Sequence, residues 1–393
     1  MQNTLEREDI IREIRKTSPG RDSRGAFQAR ARGAVVLGIA LFVLSQVGLR
    51  VIIEEFRPEL RDPTFEIKYR QFARLKAQCK QPPAIILFMG SSITAHGMKA
   101  DMVDEALSAS SGRSVIGFNL ATNAAGPFTQ LVYVQRLLRR DVRPDLVVLE
   151  LSPIFFNYRD APNDIGRFPA YALGRHDLDT VQRYSREPAL RHEWWQSYLV
   201  PTHGHRLTIL NQSALAFVPF NDRLELWHDM DAHGWRRREI PTPEDHRTFL
   251  ARIKQEFGPP MAVYQVGQPP VKALREVTGL LAQERIPTTM VLMPEGPVLR
   301  SCYRPGSLTP LMAEFTTLSR VHGFPLIQAR EWFEEEKFID SYHLTHEGAK
   351  EFTARLLREI IAPTMNALHE SEWSKNPHRV ANDKAIGSMH RQD

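Results

Sequence analysis

Residues 84–98 read AIILFMGSSITAHGM, an apolar run that stops at a glycine and turns at once into two serines. Ala84–Met89, bounded by Pro82-Pro83 and Gly90, has the length and composition of a strand buried on both faces. Met98, Met102, Val103, Ala106 and Leu107 then recur at helical spacing, so Ser91 and Ser92 fall where a strand hands over to a helix. Open α/β sheets bind ligands there, outside the carboxyl ends of their strands, where the N–H groups of the next helix face a developing negative charge. A serine at that place becomes a nucleophile only with a base beside it.

The rest of the chain repeats the alternation. Further strands are expected over residues 114–120, 146–151, 288–293 and 326–327, and helices over 100–110, 129–140, 271–284, 308–322 and 346–361. Short connections between alternating strands and helices define the fold class as α/β: a doubly wound, mostly parallel sheet in a three-layer sandwich. Residues 153–270 break the rhythm with Trp194, Trp195, Trp227, Trp235, several histidines and many arginines. A structureless loop of that length does not fit a compact domain, so a largely helical insertion is expected. Its place after the third strand puts it beside the carboxyl-end face, as a lid or acceptor-binding subdomain or as a packing elaboration.

The base candidate lies far downstream in FIDSYHLTHEG, residues 338–348. Asp340 and His343, three residues apart before the last helix, share one loop, from which an imidazole reaches a serine hydroxyl while a carboxylate fixes its tautomer. Each residue alone has another explanation. Paired serines after a glycine serve as a helix N-cap, Asp340 suits a turn and His343 a surface. Their joint occurrence at the two ends of one α/β pattern favours a single site.

Gly-x-Ser after the first sheet strand and Asp-x-x-His before the last helix resemble the SGNH (GDSL-type) hydrolase family, over residues 84–151 and 271–361. The form Gly90-Ser91-Ser92 is most similar to its membrane-anchored branch, which includes the D-alanyl transfer protein of teichoic-acid synthesis and acetyltransferase-like proteins of exported polysaccharides. The resemblance implies Ser92 as nucleophile, His343 as general base and Asp340 as its orienting partner. It implies an acyl-ester or polysaccharide substrate, a multispanning membrane protein as acyl donor, and no cofactor. The family's Asn-x-Gly-x-x-Gly block corresponds to residues 119–124, with alanine at 121 and 124. A backbone N–H near Ala124 is its implied oxyanion donor, available to alanine only without strain if φ there is negative. Where the family carries Gly-x-Asn-Asp, this chain has Ser152-Pro153-Ile154-Phe155, leaving Asn123 or Asn157 as side-chain donors. That gap keeps a second class open, a non-catalytic glycan- or protein-binding module on the same fold.

The 393 residues, 42% of them apolar, suffice for a large core. A net charge of +5 without a basic stripe and interleaved aromatics argues against nucleic acid. Cys79 and Cys302 allow at most one disulfide and exclude a cysteine-rich scaffold. His203, His205, His228, Asp229, Asp231 and His233 match no specific metal signature and read equally as polar turns, so no metal site is assigned. Residues 1–33 form a basic, polar arm; residues 34–53 make an apolar helix of about 20 residues, or about 30 Å, enough to span a bilayer. The arginines before it place the arm in the cytoplasm and the rest of the chain outside, as a single-pass anchor. Residues 54–83 read as a juxtamembrane linker and helix, 84–362 as the catalytic domain, and 363–393 as a mobile tail.

Overall fold

The computed structural model describes residues 21–370 apart from 112, 159–160, 186–187, 225 and 239–240. Apolar runs place five parallel strands at its centre: β1 (Ala84–Met89), β2 (Val115–Asn119), β3 (Leu146–Leu151), β4 (Thr288–Leu292) and β5 (Leu326–Gln328). Their order is β2-β1-β3-β4-β5. All residues of the first four are buried, as expected where helices cover both faces. The chain winds outward from β1 to β2 and then returns to β3 on the other side. The carboxyl ends of β1 and β3 therefore flank the switch point where such sheets bind ligands.

The helices are, in chain order, α1 (Arg21–Val51), α2 (Pro63–Gln78), α3 (Ser92–Gly97), α4 (Ala100–Ser111), α5 (Pro127–Arg139), α6 (Arg175–Tyr184), α7 (Leu190–Leu199), α8 (Arg206–Ser213), α9 (Pro243–Ala262), α10 (Gln268–Gln283), α11 (Thr309–His322) and α12 (His346–Leu356). Contacts group α5, α10 and α11 into one layer and α3, α4 and α12 into the other. The insertion expected over 153–270 is largely helical, carrying α6 to α9, two shorter helices (Ala161–Gly166 and Pro201–Gly204) and several short 3-10 turns. After α12 the backbone takes one π-turn, Leu357–Ile361, and continues as a helix over Ala362–Glu370, with Met365 buried. The expected tail therefore begins no earlier than residue 371; beyond that point it lies outside the described residues.

α2 is part of the folded unit, not a spacer. Phe65 and Phe72 on its apolar face join the main core, and Asp62 caps its first turn by accepting from Phe65 N. Lys68 on the same helix is fully buried and donates to the carbonyls of Asn119, Ala121 and Gly234 at 3.0, 2.6 and 3.0 Å. One ammonium thus ties α2, the end of β2 and the insertion together. Reading residues 54–83 as a juxtamembrane linker and helix misses this, because a lysine on a helix normally marks a solvated face.

Phe27–Phe56, spanning α1 and the π-turn that follows it, is long and apolar enough to cross a membrane, with a mean hydropathy of 2.2 over its most apolar 18 residues. Most of its apolar side chains are exposed, Val35, Leu37, Phe42 and Leu44 among them. Gln46 and Ile53 are buried. Gln46 Oε1 accepts from Thr202 Oγ1 at 2.8 Å, and the Arg50 guanidinium lies 4.1 Å above the Tyr198 ring, so the insertion leans on the helix near its carboxyl end.

Lys68→Met is expected to lower stability by about 3 kcal/mol, since three buried carbonyls lose a charged donor. Thermal unfolding of the detergent-solubilised protein measures it; an unchanged midpoint contradicts the account of Lys68.

Candidate active site

The turn after β1 gives its two serines different work. Ser91 is fully buried and is the N-cap of α3, accepting from Ile93 N at 3.1 Å and donating to Glu150 Oε1 at 2.6 Å. Its hydroxyl is used up. Ser92, the first residue of α3, is half-buried, and its Oγ lies 2.8 Å from His343 Nε2.

Glu150, next to last in β3, fixes this turn. Its Oε2 accepts from Ser91 N (2.8 Å), Thr94 N (3.2 Å) and Thr94 Oγ1 (2.6 Å). A Cβ at residue 90 would stand 2.2 Å from that same oxygen, so only glycine lets the turn close over the carboxyl. Burial pushes the Glu150 carboxyl up from its ordinary value, against these hydrogen bonds, which pull it down. Asn119, at the end of β2, donates to the carbonyls of Thr94 and Met98 at 2.8 Å each and holds the far end of α3.

The second half of the site comes from the loop before α12. Phe338 and Leu344 pair across it as an antiparallel bridge, and Ile339 N donates to His343 O at 2.8 Å. Ser341, at its tip, sits in the left-handed region (φ 67°) with its hydroxyl accepting from Leu299 N. The loop is therefore pinned from outside, and Asp340 and His343 face one another. Asp340 Oδ1 accepts from His343 N at 2.9 Å, and its Oδ2 lies 2.8 Å from His343 Nδ1.

Burial lowers the His343 pKa; the Asp340 charge and hydrogen bond push it back up, and the Arg238 charge lowers it again. The net direction is downward. Asp340 is held below the usual carboxylate range: burial raises it, and His343 and Arg238 more than offset that. His96 lies edge-on to His343, ring centres 5.3 Å apart. Its Nδ1 is 2.8 Å from the carbonyl of Arg236; a carbonyl only accepts, so Nδ1 carries the proton and Nε2 is left as an acceptor. Burial, then the neighbouring His343, bring its pKa down to about 3.

Ser92, His343 and His96 open onto a cleft of about 890 Å³ whose opposite wall is the insertion, through Asp229, Arg236, Arg237 and Arg238 among others. Asn123 lines it too, and its Oδ1 is buried without a hydrogen-bond partner. The other two expected oxyanion donors are placed differently. Ala124 is exposed, does not line the cleft, and has φ of 51°, the left-handed conformation that suits the glycine of the family pattern and strains an alanine. Asn157 is a correction: fully buried away from the cleft, it donates to the carbonyl of Pro260 at 3.3 Å beside the Asn157–Val266 bridge.

The remaining candidates serve packing. Trp194, Trp227 and Trp235 are buried, and the indoles of Trp227 and Trp235 donate to the carbonyls of Thr64 and His96. Asp231 accepts from His233 N and Trp235 N and so shapes a polar turn. Among the described residues no group of three or more His, Cys, Asp or Glu side chains is arranged to hold a metal ion. Cys79 and Cys302 are both free thiols. Two residues escape a sequence reading. Glu150 leaves one signal, a lone acid in the otherwise apolar LVVLEL; Arg238 leaves none, since Arg236-Arg237-Arg238 reads as a solvated charge run.

No family model matches the chain, and no curated protein matches it. Among solved structures it is similar to a lipase/acylhydrolase from Enterococcus faecalis, at 14% identity over 71% of this chain and 96% of that one, with a TM-score of 0.32. It is similar also to LAE5, an alpha/beta hydrolase enzyme from the metagenome of Lake Arreo, Spain, at 9% identity over 70% and 94%, again with a TM-score of 0.32. At these scores neither likeness bears on function.

Two outcomes follow from the geometry. NMR of histidine-labelled protein is expected to show the midpoint of His343 below its ordinary 6.5 and that of His96 at about 3; a midpoint at or above 6.5 for either contradicts the burial argument. The unfolded chain protonates both imidazoles first, so their stabilising contribution, whole above about pH 6.5, is lost as pH falls. Glu150→Gln keeps an acceptor for the Ser91 and Thr94 amides and is expected to fold, whereas Glu150→Leu strands four donors and is expected to lose about 3 kcal/mol or more in thermal unfolding. Equal midpoints for the two variants contradict the anchoring role.

Proposed function

We propose that this chain is a membrane-tethered serine enzyme of the SGNH (GDSL-type) kind, acting on acyl esters outside the cytoplasm as an esterase or an O-acyltransferase. The observation that supports this most is the unbroken run of contacts from Asp340 through His343 to Ser92 Oγ, between residues 251 positions apart in sequence.

In this reading His343 Nε2 takes the Ser92 proton as Oγ bonds to the ester carbon, and Asp340 steadies the imidazolium. The backbone N–H of Ser92 stabilises the tetrahedral oxyanion, joined by the Asn123 amide once a half-turn of its side chain presents Nδ2. Collapse expels the alkoxide, which takes the proton from His343 and leaves an acyl-serine. Water completes hydrolysis; a glycan hydroxyl in the cleft completes transfer, and His343 deprotonates either one.

The basic arm before Phe27–Phe56 supports a cytoplasmic amino terminus and an extracytoplasmic catalytic domain. A tether that confines the enzyme to the bilayer suits a polysaccharide of the cell envelope as acceptor and a multispanning membrane protein as acyl donor.

A fluorophosphonate probe on the full-length protein in detergent is expected to form an adduct on Ser92 that Ser92→Ala abolishes. No adduct on a folded protein contradicts the proposal and favours a glycan- or protein-binding module. Acyl release from an aryl ester then separates the two enzymes: acceleration by a sugar acceptor indicates transfer, and a rate unchanged by acceptors indicates hydrolysis.

A further inference from the structure

The His343 imidazole has one neighbour too many. Its Nδ1 lies 2.8 Å from Asp340 Oδ2 and 2.7 Å from Arg238 Nη1, while Arg238 Nη1 is itself 3.1 Å from Asp340 Oδ2. Guanidinium nitrogens only donate. At 2.7 Å two donors cannot face each other, so Arg238 asks for a bare, accepting Nδ1, whereas the Asp340 carboxylate at 2.8 Å asks for Nδ1–H; the two neighbours favour opposite tautomers of His343. In the tautomer that Arg238 favours, the single ring proton of the neutral imidazole is on Nε2 and is donated to Ser92 Oγ. A histidine in that tautomer has no lone pair for the Ser92 proton. The guanidinium also opposes, by its charge, the imidazolium that base catalysis must form. With Arg238 withdrawn, Nδ1–H returns to Asp340 through proton exchange with water, and Nε2 faces Ser92 as an acceptor.

Arg238 is free to withdraw where its two partners are not. Its side chain is 38% exposed and lines the cleft, whereas Asp340 and His343 are buried. Among the described residues, the two other acids that line the cleft already have partners. Asp229 is taken by Arg236, both oxygens lying 2.8 Å from Nε, and Asp245 accepts from Thr242 Oγ1 at 2.6 Å. Arg237, exposed beside it, makes no ion pair among the described residues. Two guanidinium groups thus line the cleft beside Ser92, one without an ion pair among the described residues and the other sharing the Asp340 carboxylate with His343. The other groups facing His343 are His96, which is neutral, and Tyr342, whose ring centre is 4.0 Å away.

We propose that the cleft recognises esters that also carry a carboxylate or phosphate, and that Arg238, drawn to that oxyanion, leaves His343 and switches it into the tautomer that activates Ser92. The inference rests on the reading of Ser92 as nucleophile. It makes Arg238 a specificity-determining and positioning residue, and it makes the anionic group of the substrate part of the activation. Planar guanidinium groups suit this work because they meet carboxylate and phosphate oxygens in pairs.

The test compares 4-acetoxybenzoate with its neutral isostere 4-acetoxybenzamide, on the full-length protein in neutral detergent. The wild type is expected to favour the anionic ester by about tenfold or more in kcat/KM. Arg238→Ala should bring the two within about twofold by accelerating the neutral ester, and Arg238→Lys should keep part of the preference. The acid limb of kcat/KM for the neutral ester should move to higher pH in Arg238→Ala, since a neighbouring cation no longer opposes the imidazolium. Free benzoate or inorganic phosphate should speed the neutral ester in the wild type and not in Arg238→Ala; the more effective of the two identifies the oxyanion. Equal wild-type rates for the two esters, or an Arg238→Ala variant that slows both alike with its acid limb unmoved, overturns the proposal. The underlying serine chemistry fails separately, by absence of a fluorophosphonate adduct on Ser92 in both proteins.

Discussion

The position of Ser92 depends on one buried carboxyl. Glu150 sits at the end of a central strand with no water to solvate it, and burying such a group without partners costs several kcal/mol. The partners are two amides and two hydroxyls of the turn that follows the neighbouring strand. The turn therefore has to wrap the carboxyl, and Gly90 is what lets it come close enough. Ser91 is consumed in satisfying the acid and capping α3, so the hydroxyl left for the cleft belongs to Ser92. The same contact joins β1 to β3 across the switch point of the sheet, at the place where a doubly wound fold leaves room for a ligand.

Around that fixed point the chain assembles groups from distant segments. The loop before α12 brings Asp340 and His343 over the sheet, held by the contacts of Ser341 with Leu299 and Glu335. The insertion adds the arginine wall and is itself anchored at three places: to α2 and β2 through Lys68, to α3 through the Trp235 indole on the carbonyl of His96, and to the apolar helix through Thr202 and Gln46. One folded body thus carries the cleft and rests against the helix that is apolar enough to cross a membrane.

Much of this was legible in the sequence, for identifiable reasons. Strands buried on both faces are mostly apolar runs, so 84–89 and, despite its one acid, 146–151 could be read to the residue, and the order of serine, aspartate and histidine along the α/β pattern pointed to Ser92, Asp340 and His343 as one site before any coordinates. Other features rest on tertiary contacts that leave no periodic trace. Residues 54–83 read as a juxtamembrane linker and helix, and what the sequence hid was that Lys68 on that helix is buried and ties it to the domain. The tail looked mobile from 363, yet Met365 finds a buried place and the helix runs on to Glu370. Asn157 and Asn123 were equivalent as sequence; the structure separates them by placing one under Pro260 and the other on the cleft. Arg238 had no signal at all, because its significance lies in a 2.7 Å approach to a histidine 105 residues away.

The central claim is that Ser92 carries an acyl group in the course of turnover. The most direct measurement is mass spectrometry of the full-length protein quenched in acid while it turns over an aryl acetate, followed by peptide mapping. The account predicts an acetyl group on the peptide that begins the first turn of α3, located at Ser92 and missing from a Ser92→Ala protein. Steady turnover with that serine unmodified, or with the acetyl group on another residue, would contradict it.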